Sequence, residues 1–339
     1  MRRFLTPFRA AVALLVCLLL AGVILYNVPS DEYVLLPDVA HPVAPLVQVQ
    51  GSTRPGKSRG GTIYFVDVIE RRASELESLF RWIHPHGSFL PAKLIVPPGT
   101  SSQAVEQAQL REMAISQRVA AAVALRKLGY HVVVKPDGVI VNVVDPGTHA
   151  YGALQSADVI VAVDGTRTPT IAKLRHVLAG VKPGRVARLR IRRGSRLVTK
   201  RIRTIADPQQ PGHAIVGFEP AQAAQIKLPV RVSIDAGGIG GPSAGLAFAL
   251  EVMKKLGHDV TRGHRVAATG EMELNGTVAP IGGVEQKTYG VREAKADVFL
   301  VPAGSNATVA RRYAGPLRII PVHTFSQALR ALATLRREG

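Results

Sequence analysis

The sequence predicts a mixed α/β (α+β) protein with an inserted β-rich domain and an N-terminal transmembrane helix. Residues 10–28 are almost wholly apolar. Residues 131–205 form short strand-like runs separated by turns, and the parts on either side combine helical and strand-like segments. A chain of 339 residues is long enough for two or three domains with a substantial core.

The apolar run at residues 10–28 is long enough to span a bilayer as a helix. Arg2, Arg3 and Arg9 precede it, so the positive-inside rule places residues 1–9 in the cytoplasm and everything after Pro29 outside. The alternative is a cleaved signal peptide, but the run is longer than usual for one and lacks a small-residue cleavage site. We therefore expect a retained, single-pass anchor in the cell membrane.

The formal net charge is +19, and the chain has one cysteine, Cys17, so an intramolecular disulfide is impossible. A basic surface of this kind attracts anionic lipid headgroups or anionic envelope polymers. Nucleic acid is not expected as a partner, because no recognition motif accompanies the charge and aromatic residues are few.

Residues 29–130 predict a strand pair near residues 47–68, an amphipathic helix at 69–84 and a long helix at 103–128 that ends at Gly129. Residues 51–58 match the P-loop pattern, but the residues that follow read as a strand, whereas a P-loop opens a helix. We expect a turn there and no cofactor. His84 and His86 flank a proline and lack a third ligand nearby, so no metal site is predicted.

Residues 131–205 carry Gly152-Ala-Leu, then Asp158-Val-Ile and Val163-Asp-Gly, followed by a helix from about residue 170 to 178. This pattern resembles a PDZ domain of the bacterial, protease-associated form. The resemblance implies that an extended peptide end adds a strand to an exposed sheet edge. The alternative is that the domain only packs against its neighbour. The expected groove lies between a strand and a helix, whose candidate residues are Val139, Ile140 and Val141 on the strand and Ile171, Leu174 and Leu178 on the helix.

Residues 240–245 place Ser243 among glycines at the predicted start of a helix, with Pro242 at its first position, and Lys287 follows a second Gly-Gly turn. A serine hydroxyl needs a base to become a nucleophile, and a desolvated lysine can be that base. Ser-Lys pairs are a known variant of the serine-hydrolase triad. The alternative is a purely structural serine in the first turn of the helix.

The motif Gly-Pro-Ser-Ala-Gly, with a lysine 44 residues after the serine and Thr269-Gly-Glu between them, resembles the proteolytic domain of Lon proteases. Within that family the closer resemblance is to membrane-anchored bacterial Lon-like proteases that carry a PDZ domain and no ATPase. The resemblance implies that Ser243 is the nucleophile, that Lys287 is its base and that Thr269 hydrogen-bonds one of them. Backbone N–H groups of the glycine run up to Gly241, with that of Ser243 or Ala244, are expected to bind the oxyanion.

The predicted organisation is a cytoplasmic segment (1–9), a transmembrane anchor (10–28), a Lon-like protease domain in two parts (29–130 and 206–339) and a PDZ domain (131–205) inserted between them. The predicted function is that of a membrane-tethered, ATP-independent serine endopeptidase acting on envelope or membrane proteins, with its PDZ and catalytic domains outside the cytoplasm. Its partners would be protein or peptide substrates and membrane lipid, with a homo-oligomer possible by resemblance. The alternative is a catalytically inert, membrane-anchored PDZ adaptor.

Overall fold

The computed structural model describes residues 7–50, 60–210 and 212–336. Arg2, Arg3 and the P-loop-like residues 51–58 lie outside this part of the chain. The elements before the inserted domain are α1 (Pro7–Asn27), β1 (Pro29–Pro37), β2 (His41–Pro42), β3 (Val47–Val49), β4 (Thr62–Phe65), β5 (Val68–Ser74), α2 (Glu75–Leu79), a 3₁₀ turn (Arg81–Ile83), β6 (Ser88–Pro91), α3 (Ala92–Ile95) and α4 (Ser102–Lys127).

The middle and C-terminal elements follow in chain order. They are β7 (Val133–Val144), β8 (Val159–Val163), β9 (Thr166–Arg167), α5 (Ile171–Ala179), β10 (Val186–Arg193), β11 (Arg196–Arg203), β12 (Ile205–Ala206), β13 (Ala214–Ile215), β14 (Phe218–Lys227), β15 (Val232–Ile234), α6 (Gly245–Lys255), β16 (Arg265–Ala268), β17 (Glu271–Met272), β18 (Val278–Ala279), α7 (Val284–Glu293), β19 (Val298–Pro302), α8 (Ser305–Tyr313), β20 (Arg318–Val322) and α9 (Phe325–Ala333).

The parts of the chain before and after the inserted domain share their sheets. A five-stranded sheet has the order β2-β4-β16-β19-β20, and β4 pairs in parallel with β16, so that Ile63 lies opposite Val266. Strands β3 and β15 also pair. One apolar core contains Ile63 and Val119 from the first part together with Phe248 and Val266 from the second. The two parts therefore fold as one unit.

The inserted domain has its own sheet, of order β11-β10-β8-β7-β14, and its own apolar core. The short strand β9 pairs with β8 beside this sheet. Helix α5 begins after Thr170, whose side chain accepts a hydrogen bond from the Lys173 N–H. Strand β14 continues from this sheet directly towards β15 and the loop that carries Ser243.

The predicted helix at 69–84 is wrong over most of its length. Residues 68–74 form β5, which pairs antiparallel with β1, and the helix α2 covers only Glu75–Leu79. The start of α2 is fixed by a capping box, in which Ser74 and Glu77 satisfy each other's backbone N–H groups. The spacing of apolar residues suggested a helix, but residues 68–74 instead pair as a strand with one edge of β1. The predicted long helix is confirmed as α4.

Helix α1 is long and apolar enough to cross a membrane between Phe8 and Asn27, and its side chains are mostly exposed. A signal sequence near an N-terminus has the same properties. The end of α1 is tied to the following domain, because the Glu75 N–H donates to the Val28 carbonyl over 2.9 Å.

Candidate active site

Ser243 lies in the turn before α6, not inside the helix. The helix begins at Gly245 with Ala244 as its N-cap, so the expectation of Pro242 at the first helical position is wrong. The turn passes through Gly241, whose φ of +81° lies in the left-handed region that glycine adopts without strain. The chain therefore presents Ser243 on a tight turn ahead of a buried helix.

Helix α4 holds this turn in place from the other part of the chain. The Gln109 carbonyl accepts a hydrogen bond from the Gly241 N–H at 2.8 Å, and the Ser116 hydroxyl donates to the Pro242 carbonyl at 2.9 Å. A Cβ at Gly240 would come within 2.6 Å of the Gln109 Cβ. Residue 240 therefore has no room for a side chain unless Gln109 on α4 shifts.

Lys287 meets Ser243 from α7. Its Nζ donates a hydrogen bond to the Ser243 Oγ over 2.5 Å, and the lysine is only 3% exposed. Gly283 is the N-cap that precedes α7; its φ is +67°, and a Cβ there would come within 2.9 Å of the Val68 side chain. The second Gly-Gly turn thus brings the lysine helix close to the strand that lines the site.

Burial lowers the pKa of Lys287 to about 8, because an ammonium ion loses its hydration in this position. The carboxylate of Asp67 partly opposes this effect. With a pKa of about 8, roughly a tenth of Lys287 is neutral at pH 7, and this form has the lone pair that a general base needs.

Thr269 supports the pair through the backbone of the serine. Its hydroxyl donates to the Ser243 carbonyl at 3.1 Å, and the Gly270 N–H donates to the same oxygen at 2.7 Å. Thr269 is fully buried. The sequence suggested a bond to Lys287 or to the serine, and the structure places the contact at the serine carbonyl.

Asp67 is a site residue that sequence reasoning missed. It follows β4, lines the same cavity as Lys287 and has a pKa raised mainly by burial. Its Oδ1 is buried and has no hydrogen-bond partner among the described residues. The sequence did contain an indication of this role, because Asp67 is a carboxylate within the otherwise apolar run that follows Phe65.

One of the backbone N–H groups expected to bind an oxyanion already has a hydrogen-bond partner. The Gly241 N–H is already used by the Gln109 carbonyl, so Gly241 shapes the turn and does not offer a donor. Within the described part of the chain, the N–H groups of Ser243 and Ala244 make no hydrogen bond. These two groups are thus available at the mouth of the turn.

A cavity of about 700 Å³ opens beside the pair. Its wall includes Asn142 and Val143 at the end of β7, so the inserted domain contributes directly to it. Glu112 and Glu271 add acidic groups, and burial, followed by repulsion from Glu112, raises the pKa of Glu271 to about 7. The wall of the cavity therefore contains the serine, the lysine and both of these carboxyl groups.

The strand edge of the predicted peptide groove is occupied by the chain itself, whereas Ile171, Leu174 and Leu178 on the helix side line a cavity of about 500 Å³. Strand β14 pairs antiparallel with β7 along the edge opposite β8, with Gln222 opposite Val139 and Ala221 opposite Ile140. The Gln222 amide donates to the carbonyls of Gly138 and Pro169, each at 2.9 Å. The expectation of an open edge is therefore wrong for this conformation, because β14 satisfies the backbone groups that a peptide would use.

The predicted groove residues divide between two faces. Val139, Val141, Leu174 and Leu178 are buried in the core of the inserted domain, and Ile171 packs against the edge of that core. Ile140 points to the other face and is only partly buried. A charge at Leu174 would therefore test core packing before it tested peptide binding.

One group of described residues brings three possible metal ligands together. Asp38, His41 and Asp67 place one ligand atom each within 4.8 Å of one another. The Asp38 carboxylate already contacts the His41 ring at 3.4 Å, which accounts for this pair without an ion. The prediction that the protein needs no metal or cofactor stays a prediction.

The chain resembles Lon proteases in its C-terminal part and PDZ domains in its middle. The family model for the Lon protease (S16) C-terminal proteolytic domain matches residues 214–334, and the model for the PDZ domain matches residues 127–204.

Curated relatives support the first match. Lon protease 1 of Sorangium cellulosum (strain So ce56) is 29% identical over 176 residues, which are 48% of this chain and 20% of that protein. Lon protease 2 of Bacillus subtilis (strain 168) is 33% identical over 34% of this chain and 20% of that protein. The archaeal Lon protease of Methanothermobacter thermautotrophicus is 23% identical over 81% of this chain and 40% of that protein. The chain thus spans about a fifth of the length of the first two relatives.

Among solved structures, the PDZ domain of an SdrC-like protein from Listeria monocytogenes aligns with 25% of this chain and 87% of its own, at 22% identity and a TM-score of 0.23. The resemblance to both families that the sequence motifs indicated is confirmed by the family models. The chain therefore contains a Lon-type C-terminal proteolytic domain and a PDZ domain in a mixed α/β architecture.

Proposed function

We propose that this protein is a membrane-tethered, ATP-independent serine endopeptidase in which Ser243 and Lys287 form the catalytic dyad. The observation that carries the proposal is the 2.5 Å contact between the Lys287 Nζ and the Ser243 Oγ inside a buried site. The match to a Lon proteolytic domain supports the same chemistry.

The proposed reaction is acyl transfer. Neutral Lys287 takes the hydroxyl proton of Ser243 as its Oγ attacks the peptide carbonyl carbon, and the amine of the product leaves with a proton from the lysine. Water then hydrolyses the acyl-enzyme, with Lys287 again as base. The N–H groups of Ser243 and Ala244 are the donors that we assign to the oxyanion.

Thr269 and Asp67 act on the dyad indirectly. The Thr269 hydroxyl fixes the Ser243 carbonyl, which sets the position of the serine backbone. The carboxylate of Asp67 adjusts the proton affinity of Lys287. We assign them as positioning and tuning residues and expect weaker effects from their removal.

The substrates that we propose are proteins or peptides of the cell envelope or membrane, and the PDZ domain would recognise an extended segment of them. Because β14 fills the β7 edge, peptide capture there requires β14 to separate. Glu112 and Glu271 line the same cavity, and because burial raises the pKa of both carboxyl groups, we expect substrate to meet them partly in the neutral form. A homo-oligomeric assembly remains part of the proposal by resemblance.

The dyad is tested with purified Ser243→Ala, Lys287→Ala and Lys287→Arg variants. Each should lose about 10⁴-fold or more of peptide hydrolysis, and arginine should not replace lysine because it stays protonated. Ser195→Ala, at an exposed turn of the PDZ domain, is the matched control and should keep full activity.

A serine-reactive fluorophosphonate probe separates this function from that of an inert adaptor. It should label the wild type and Ser195→Ala but not Ser243→Ala. ATP should not change turnover. Near-normal hydrolysis by a folded Ser243→Ala variant, or absence of labelling in the wild type, would contradict the proposal.

A further inference from the structure

An exposed apolar patch lies on the surface formed by α2 and the 3₁₀ turn that follows it. Trp82 is 76% exposed and Leu79 is 64% exposed. Phe80 and Ile83 are exposed as well, and the Phe80 and Trp82 rings meet edge to face with centroids 6.5 Å apart. Single exposed apolar side chains are common, but a contiguous cluster of large ones marks an interaction surface. These four residues are called the interface patch below.

The interface patch adjoins the place where α1 ends. The Glu75 N–H, at the start of α2, donates to the Val28 carbonyl at 2.9 Å, just after the last turn of α1. Pro29 also pairs with Ser74 across β1 and β5. The first residue of α2 is thus bonded to the end of the apolar helix, and the patch begins on α2 itself. If α1 crosses a bilayer, the patch lies at the depth where the chain leaves it.

The rim of the interface patch carries paired charges. Arg81 contacts Glu32 at 2.7 Å, and Arg72 contacts Asp31 at 3.2 Å, with both arginine side chains about half exposed. A cluster of apolar residues that includes a tryptophan and is flanked by arginines is typical of protein segments that lie at the headgroup–acyl boundary of a bilayer. The net charge of +19 adds attraction to anionic lipid.

We propose that the interface patch inserts into the outer surface of the lipid bilayer that α1 spans, so that the chain is held to the membrane at two points. This inference rests on the membrane tether of the proposed function. The occupant of the patch is lipid, because the patch continues directly from the apolar helix and has the composition of an interfacial segment.

This second contact fixes the position of the active site. Strand β5 begins at Val68, which lines the cavity beside Lys287, and ends at Ser74, which caps α2. At ~3.3 Å per residue the strand spans about 20 Å. The catalytic cavity is therefore held within about one strand length of the bilayer surface. The substrate class that fits is a protein segment close to the membrane, either a juxtamembrane stretch or a surface-bound peptide.

The chain offers a direct probe, because Trp82 is its one tryptophan. The full chain is reconstituted into vesicles of phosphatidylcholine and phosphatidylglycerol, and flotation verifies incorporation. Trp82 emission is then compared in ordinary vesicles and in vesicles with lipids brominated near the headgroup or near the acyl-chain end. We expect blue-shifted emission and stronger quenching by bromine near the headgroup.

Two variants sharpen the experiment. Leu79→Glu with Ile83→Glu keeps Trp82 and should abolish the quenching while the protein still floats with vesicles through α1. Leu197→Glu changes an exposed apolar residue of the PDZ domain and should leave the quenching unchanged. Circular dichroism checks that both variants are folded.

The outcomes separate this proposal from the proposed function. If Trp82 emission in floating protein is typical of water and neither brominated lipid quenches it, the patch does not contact lipid and the proposal is overturned. Failure of the folded wild type to float overturns the tether and the patch together. Labelling of Ser243 by the serine-reactive probe reports on the protease independently of both results.

Discussion

At the scale of single residues, the proposed chemistry depends on the burial of Lys287. An exposed lysine stays protonated at neutral pH, whereas burial lowers the pKa of Lys287 to about 8. The residue is brought inside by α7, whose N-terminal Gly-Gly turn approaches Val68 more closely than a side chain would allow. Burial also raises the pKa of Asp67. The attraction between the two charges acts on both groups, because it raises the pKa of Lys287 and lowers that of Asp67.

The pH dependence of hydrolysis should report the Lys287 pKa. Only the neutral amine can accept the serine proton, so kcat/KM should rise with pH, reach half its maximum near pH 8 and level off above it. The measurement is a pH–rate profile on a short peptide that carries no titrating group in this range. A profile that is flat from pH 6 to pH 10, or that falls through it, would contradict the assignment.

The Asp67→Asn variant tests whether the Asp67 carboxylate shifts the pKa of Lys287. The carboxylate of Asp67 favours the protonated lysine, so its removal should lower the Lys287 pKa further and move the profile to lower pH. The maximal kcat/KM at high pH should fall much less than in Lys287→Ala. If the midpoint of the pH–rate profile does not move, Asp67 does not affect the pKa of Lys287.

At the scale of secondary-structure elements, β14 has a position that joins the two domains. It pairs with β7 over most of its length and then leads through Lys227 to β15 and the Ser243 loop. The Gln222 side chain ties it to the carbonyls of Gly138 on β7 and Pro169 before α5. A peptide that added to β7 would have to displace an element that leads to the loop carrying Ser243.

Gln222→Ala should make the PDZ edge easier to open. The variant loses hydrogen bonds that are worth about 1 kcal/mol each, so an extended peptide should bind about five-fold or more tightly than to the wild type. Isothermal titration or fluorescence anisotropy with a hydrophobic C-terminal peptide measures this. Gln225→Ala, at an exposed position of β14 away from α5, is the control and should change the affinity little.

Peptide affinity that stays equal in a folded Gln222→Ala variant would contradict peptide capture at β7. The PDZ domain would then be a structural part of the protease, with Asn142 and Val143 as its contribution to the catalytic cavity.

At the scale of the whole molecule, the protease domain is assembled from two separate stretches of chain. Strand β4 pairs with β16, and helix α4 holds the Ser243 turn through Gln109 and Ser116. The PDZ domain lies between these stretches in sequence and reaches the cavity with β7. Removing it would therefore alter the active site as well as any peptide capture.

The proposed topology predicts that the C-terminus lies outside the cytoplasm. A reporter enzyme active only outside the cytoplasm, fused after Gly339, should be active in bacterial cells, and a cytoplasm-only reporter should be silent, because Arg2, Arg3 and Arg9 hold the N-terminus inside. Mass spectrometry of the membrane-extracted protein should find residues 10–28 retained. A silent outside reporter would reverse the orientation, and a shortened N-terminus would identify a signal peptide.

The sequence by itself determined the features that depend on local pattern. The run at residues 10–28 and the long helix α4 follow from composition and periodicity, whereas the PDZ domain was indicated by the resemblance of its motifs to that family. The Ser243 and Lys287 motifs were recognisable because each is a short segment with its own glycine turn. The resemblance of the two motifs and of their spacing to Lon proteolytic domains implied that Ser243 and Lys287 form a pair.

The tertiary structure alone decided which distant segments meet. It placed Asp67 beside Lys287, directed the Gly241 N–H to Gln109, turned residues 68–74 into a strand and laid β14 along β7. Each of these depends on a neighbour far away in sequence. Local periodicity indicates which secondary structures a segment can form. Which of them it adopts depends on an available strand edge or a buried partner, because backbone groups that are buried without a hydrogen-bond partner are costly.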